Sequence, residues 1–186
     1  KSEREYQEWV ESLKASTLTA YYTPREFVAA ITTTLWDAKP ASNILDPAAG
    51  MGVFGCMYAW NAYYTGFEPS VTFFEKDILT ASMLKASLDS KKSSLDGKGA
   101  NYTTVYCDGF EHFPDDELGT YDLVSTNVPF GDIAVFDDAY SNSGLEVRRD
   151  AARMIHRYYV LKGLDCLREG GIEAYIITSN YLNNDT

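Results

Sequence analysis

The stretch Asn43-Ile44-Leu45-Asp46-Pro47-Ala48-Ala49-Gly50-Met51-Gly52-Val53-Phe54 constrains the fold of this chain more than any other. A short apolar run ends in an acid, a proline follows, two glycines stand one residue apart, and a helix-compatible segment begins. This is the pattern of a strand feeding a tight turn, since glycine lacks the Cβ that would keep the backbone from approaching a ligand closely. The helix expected over 53–64 directs its free N–H groups at whatever lies over the turn.

Downstream the same alternation repeats. Val71 to Glu75 reads as a second strand ending in an acid, followed by a helix over Asp77 to Leu88 with Leu79, Met83, Leu84 and Leu88 as its apolar positions. Lys91 to Gly99 is polar and reads as a loop. Tyr102 to Asp108 and Tyr121 to Asn127 are the third and fourth strands, and Ile133 to Gly144 is a long polar loop. Arg148 to Arg168 reads as one long helix that buries Ile155, Tyr159, Leu161, Leu164 and Leu167 and is stopped by Gly170-Gly171. Ile172 to Thr178 is a fifth strand. Upstream, Glu3 to Leu13 has helical spacing. Thr23 is placed to cap a helix that has Pro24 at its first position, Glu26 completing a capping box, and an end near Asp37. Strands alternating with helices predict a doubly wound α/β fold around a mainly parallel sheet, ending early, after its fifth strand. The expected organisation is an N-terminal helix over 1–17 and a catalytic domain over 18–186.

Composition narrows the function. With 16 basic against 27 acidic residues, the net charge of −11 is wrong for a surface that neutralises phosphates, so this polypeptide alone should grip nucleic acid poorly. There is no membrane-length apolar run and no leader pattern before the first helix. Cys56, Cys107 and Cys166 fit reduced thiols in a cytoplasm better than a disulfide framework. His112 and His156 have no ligand spacing with any cysteine, so no metal site is expected. The start at Lys1 is that of a processed protein or a piece of a longer one.

Asp46, Glu75, Asp108 and Asn127 each fall at or near the carboxyl end of a successive strand, where an open α/β sheet binds its ligand. Two ligand classes compete. Gly50-Met51-Gly52-Val53-Phe54-Gly55 satisfies the dinucleotide pattern G-x-G-x-x-G, with Glu75 at the distance of a ribose-binding acid. Yet Asp46 puts a carboxylate where a pyrophosphate would be repelled. S-adenosylmethionine carries a sulfonium and an ammonium and no phosphate, so the acid then has a favourable electrostatic job. Asp46 decides for the methyl donor. Asn127-Val128-Pro129-Phe130 fits the other substrate. A ring amine is a poor nucleophile because its lone pair is delocalised. Two acceptors for its hydrogens, the Asn127 side chain and the backbone near Val128 or Pro129, favour the form that can attack a methyl. Phe130 can stack on an extruded base.

On these motifs the chain resembles the N6-adenine DNA methyltransferases, from about Leu18 to Leu182. Asp46-Pro47-Ala48-Ala49-Gly50-Met51-Gly52 matches that family's D-P-A-x-G-x-G loop, Asn127 to Phe130 its N-P-P-F/Y motif, and Tyr22-Thr23-Pro24 its upstream T-P segment. The resemblance implies the Rossmann-like fold of S-adenosylmethionine-dependent methyltransferases. It implies that Tyr22, Thr23, Pro24, Asp46, Pro47, Ala48, Gly50 and Gly52 hold the methionine part of the donor, with Asn127 beside them. Glu75 with Lys76 would serve the ribose and the nearby face, and Asp108 with Gly109 the donor adenine. Val128 replaces the motif's first proline, a variant associated with methylase–helicase proteins of mobile elements. Lys76 stands where the family has an apolar residue. Type I restriction-modification methylation subunits are similar too. The implied partner is DNA, contacted through regions outside this chain, with a fused or associated helicase, nuclease or specificity subunit and no membrane. A protein glutamine amide, an RNA base, or donor binding without catalysis are the alternatives that remain open.

Overall fold

The computed structural model describes residues 23–94, 101–131 and 133–179. The expected helix over Glu3 to Leu13, Tyr22 of the T-P segment and the boundary at residue 17 lie outside the described residues. Five strands, β1 (Asn43–Asp46), β2 (Ser70–Phe74), β3 (Asn101–Tyr106), β4 (Tyr121–Asn127) and β5 (Leu167–Ile176), form one sheet in the order β3-β2-β1-β4-β5. Every pairing is parallel. The strand order therefore reverses beside β1, which opens a crevice at the carboxyl ends of β1 and β4.

Parallel strands covered on both faces bury nearly every position; β1, β2 and β4 do so at all but one residue each, whereas β5 has no fully buried residue. Successive residues point to opposite sides. Ile44, Phe73 and Leu123 join one core with Tyr58, Val71, Leu84 and Leu88, while Leu45, Phe74 and Val124 join another with Phe110, Phe113, Tyr140 and Tyr158. Helices α1 (Arg25–Ala38), α2 (Val53–Tyr64) and α3 (Ile78–Ser94) follow in order. Short α4 (Asp138–Ser141), α5 (Glu146–Ala152) and α6 (Ile155–Cys166) lie between β4 and β5. Tight turns over Phe110–His112 and Asp115–Glu117 link β3 to β4.

Several sequence expectations need correction. Helix α1 begins at Arg25, and Pro24 occupies the cap position without any side-chain cap bond, so the Thr23–Glu26 capping box does not form. Lys91 to Ser94, expected as loop, continue α3. Leu79 and Met83 are exposed on α3, leaving Leu84 and Leu88 with Ala81 to bury its face. The helix expected from Arg148 to Arg168 breaks at Arg153-Met154. There the Val135 N–H donates to the Ala152 carbonyl (2.8 Å) and the Ile155 N–H to the Ile133 carbonyl (2.9 Å), so the preceding loop is fastened to the joint. That loop also holds α4, which was not foreseen. On α6, Leu164 is exposed while His156, Tyr158, Lys162 and Gly163 are buried. Strand β5 starts at Leu167, so the glycines do not end the helix but lie inside the strand. The β4–β5 register shifts next to them, with Gly170 at φ 73° taking up a left-handed conformation that favours glycine.

Candidate functional site

The glycine turn is built as its sequence requires. Gly50 and Gly52 take φ of 54° and 73°, and a Cβ on Gly50 would meet nothing within 4 Å, leaving open space beside the backbone. A Cβ on Gly55 would lie 2.5 Å from the Phe73 ring, so this glycine lets α2 pack closely on β2. The third glycine of the pattern thus has a packing reason independent of ligand class. The Ala49 N–H donates to the Phe74 carbonyl (2.8 Å) and ties the turn to β2.

Asp46 is fully buried beneath this turn, and neither carboxylate oxygen has a hydrogen-bond partner among the described residues. Burial pushes its carboxyl up to about 7. The Thr126 hydroxyl and Gly55 N–H, nearby but outside bonding geometry, offset this in part, and the charge of Glu75 adds to it. The Thr126 hydroxyl donates instead to the Ala48 carbonyl (3.1 Å), which fastens β4 to the turn. Glu75 accepts the Gly50 N–H at Oε2 (2.7 Å) and the Asp77 N–H at Oε1 (2.8 Å). Its carboxyl is raised, chiefly by burial. Glu75 is therefore first a clamp on the turn, though each oxygen keeps a second lone pair for a hydroxyl.

Over β3, Asp108 sits beyond the strand end, exposed, with Oδ1 2.6 Å from His112 Nδ1. The hydrogen bond to Asp108 raises the His112 pKa. The Lys76 ammonium lies 2.5 Å from Glu111 Oε1, an exposed contact across the β2 and β3 ends. A Cβ on Gly109 would meet the Glu111 carboxylate at 2.2 Å, so a side chain there would displace Glu111 from Lys76. His112 and Glu111 were not picked out from sequence. Neither sits in a motif, and both come to the site through a single tight turn.

Asn127 closes β4, opposite Ile176 of β5. Its amide Nδ2 donates to Thr23 Oγ1 at 3.0 Å, so the T-P segment meets the Asn127-to-Phe130 segment directly. Thr23 forgoes a helix cap worth ~1 kcal/mol to make this contact. An amide whose nitrogen is held this way has its carbonyl oxygen turned to the other side as the acceptor. Val128 is buried, and its N–H donates to the Ile176 carbonyl (3.0 Å), a bond the family's proline could not make. Pro129 is half-buried and Phe130 is 37% exposed. Tyr159, buried near Asp46, Glu75 and Glu111, completes the floor; its phenol is raised by burial first and then by those three carboxylates.

These residues fit a cationic methyl donor better than a phosphate ligand. A buried carboxylate without donors is costly unless a positive group approaches it, and the open face of Gly50 leaves room beside it. Thr23, Pro24, Asp46, Pro47, Ala48, Gly50, Gly52, Glu75, Lys76, Asp108, Gly109 and Asn127 all lie on the same edge of the sheet, where the strand ends and the turns after them come together.

No protein-family pattern matches the chain, and no curated protein matches it. Solved structures do. A Listeria monocytogenes protein described as a class I S-adenosylmethionine-dependent methyltransferase superposes with a TM-score of 0.72 at 17% identity, covering 98% of this chain and 55% of that one. A type I restriction-modification methyltransferase subunit from Streptococcus thermophilus gives 0.64 at 13% identity, over 84% of this chain and 34% of the other. A Thermotoga maritima S-adenosylmethionine-dependent O-methyltransferase gives 0.53 at 18% identity, over 94% and 52%. The chain thus has the α/β fold of S-adenosylmethionine-dependent methyltransferases, with a five-stranded parallel sheet. It spans about half of the Listeria protein and a third of the Streptococcus subunit.

Proposed function

We propose that this chain is the donor-binding and catalytic part of a methyltransferase that modifies the N6 amine of adenine in DNA. The observation that carries the reading is the Asn127 amide, held by Thr23 at the end of β4 and fastened beside the glycine turn through Thr126 and Ala48. Asp46, the turn and Glu75 would hold the methionine and ribose parts of S-adenosylmethionine, and Asp108 its adenine. When bound, the donor supplies an electrophilic methyl carbon on sulfur.

The chain's own residues prepare the amine. Asn127 Oδ1 and the carbonyl of the Val128-Pro129 backbone accept its two hydrogens, which draws the lone pair out of conjugation and towards the methyl. Phe130 stacks on the extruded base. No charged base is needed before attack; positioning and electrostatics carry the step. Because the chain is acidic, DNA affinity is expected from regions outside it, with a helicase, nuclease or specificity subunit as partner. The net charge of −11 also favours a second reading, transfer to a protein glutamine amide, whose nitrogen presents the same problem.

The test is tritiated methyl incorporation into unmethylated genomic DNA by the full-length protein. Asn127→Ala should lower incorporation on the order of 10² or more while donor binding, measured by titration calorimetry, stays close to wild type. Full transfer by Asn127→Ala would remove the assignment. Labelling of protein amides and not DNA would shift it to the second reading.

A further inference from the structure

We infer that Phe136 is a wedge of the target site, entering the base stack of duplex DNA beside the adenine presented to Asn127. This rests on the adenine reading above and adds to it a residue that no motif contains. Phe136 is 90% exposed, more than any other large apolar side chain among the described residues. Its backbone is nevertheless fixed on both sides. The preceding Val135 donates its N–H to Ala152 at 2.8 Å. The following Asp137 is buried, and its Oδ2 accepts from the Tyr158 hydroxyl (2.6 Å) and the Lys162 ammonium (3.2 Å) while Oδ1 accepts the Tyr140 N–H (3.1 Å). An exposed phenyl on a mobile loop would need no explanation. One clamped between a backbone bond and a buried ion pair is presented to something.

Its surroundings name the occupant. The Ile155 N–H at the start of α6 bonds the Ile133 carbonyl, and α6 runs from the carboxyl edge of the sheet back to the start of β5, so this segment lies at the edge that carries Asn127. Ile133 (55% exposed) and Phe130 (37%) extend the apolar tip back to that edge. At the joint that holds Val135 stands Arg153, whose side chain is 78% exposed and pairs with Asp150 at 3.0 Å. Such a surface pair is readily exchanged for a phosphate. Arg153 and Arg157 stand at and just past this joint in a chain otherwise dominated by acids, whereas Arg148 is held by Asp165 and Arg149 by the Ser143 carbonyl. An apolar protein partner would be met by a wider apolar patch and fewer cations. A single rigid aromatic flanked by arginine fits bases and phosphates. Extruding a base leaves a gap in the stack, and an inserted apolar side chain fills it.

The experiment compares tritiated methyl transfer by the full-length protein to unmethylated genomic DNA, native and heat-denatured, with donor binding measured on the same samples. Phe136→Ala should lower the ratio of duplex to single-strand rates by about tenfold, the scale of one lost base–aromatic stack, and Phe136→Trp should restore it. Donor affinity should be unchanged in both variants. Loss of the same proportion on both DNA forms, or an unchanged ratio, overturns the wedge while leaving the adenine reading standing. Wild-type protein that labels a protein amide and neither form of DNA overturns the adenine reading and the wedge with it.

Discussion

The carboxyl edge of the sheet is assembled in two different ways. Over β1 and β2 the site is made from backbone: the turn after Asp46, its two left-handed glycines, and the Gly50 N–H given to Glu75 from the next strand end. Over β4 it is made from side chains meeting side chains. Thr23 meets Asn127 across a sequence separation of 104, and Lys162 meets Asp137 in the core. The first half is a backbone cradle with a destabilising buried carboxylate at its base. The second is a set of side-chain clamps that hold a loop over the strand end. A cradle of this kind tolerates change at its rim and is sensitive to charge. Clamps fail when one partner is removed.

The largest expected effect therefore lies on the target side. Within the buried network, burial opposes ionisation of Asp137, but the Tyr158 hydroxyl, the Lys162 charge and the Tyr140 N–H outweigh it and hold the carboxyl below its usual value. Asp137→Ala leaves the Lys162 ammonium buried and unpaired and should cost about 3–5 kcal/mol in denaturant unfolding. Replacing both Asp137 and Lys162 by apolar residues of similar size should recover most of it. A loss below about 1 kcal/mol for the single change would mean that the loop is not clamped as described.

The donor side should respond to pH instead. Asp46 has a folded pKa raised from 3.8 to about 7, so the folded state binds more protons than the unfolded state between those values. Stability should then fall as pH rises from about 4 to 7 and level off above, by roughly 4 kcal/mol for a shift of this size. Glu173, which burial also raises to about 7, adds to the slope with the same sign. The difference between wild type and Asp46→Asn isolates Asp46: the variant should gain stability at pH 8 and nothing at pH 4. Donor affinity should run the other way, rising with pH to about 7 in wild type as the carboxylate becomes available to a cation. Parallel unfolding curves at pH 4 and pH 8 for the two proteins would contradict the buried orphan carboxylate.

The smallest effect is expected at Thr23. Thr23→Val removes one hydrogen bond, worth about 0.5–1.5 kcal/mol, and should slow methyl transfer roughly 2- to 12-fold. The melting temperature should fall by no more than about 1–6 °C, the loss of one hydrogen bond, because no helix cap is lost with it. A larger drop in melting temperature with normal transfer would make Thr23 a cap after all and erase the contrast between the two halves.

The contrast also explains what could be read from sequence. Strands β1, β2 and β4 were legible because they are buried on both faces, and the glycine turn because its requirements are local, whereas β5, none of whose residues is fully buried, was placed five residues late. Asp46, Glu75 and Asn127 could be placed by counting to strand ends. Thr23 could not be placed correctly, since a threonine before proline has the right chemistry for a cap, and only the fold reveals that its hydroxyl is engaged elsewhere. The buried face of α6 was misread for a related reason. The apolar spacing puts Leu164 inward, whereas Leu164 stays exposed and Asp137 draws Lys162 into the core. The break at Arg153-Met154 came from backbone bonds made by residues 133–135, which leave no trace in the helix's own sequence.

The bond between Thr23 and Asn127 also bears on the order in which a growing chain acquires its parts. Synthesis delivers Thr23, then the glycine turn, then Glu75, so the cradle can close on segments already outside the ribosome. Asn127 arrives later, and the β4–β5 ladder that positions it waits for Ile176. The entropy of closing so long a loop grows only slowly with its length, so the delay is set by translation more than by thermodynamics. A nascent chain halted between these points would carry a closed glycine turn and no Asn127 amide at the edge beside it.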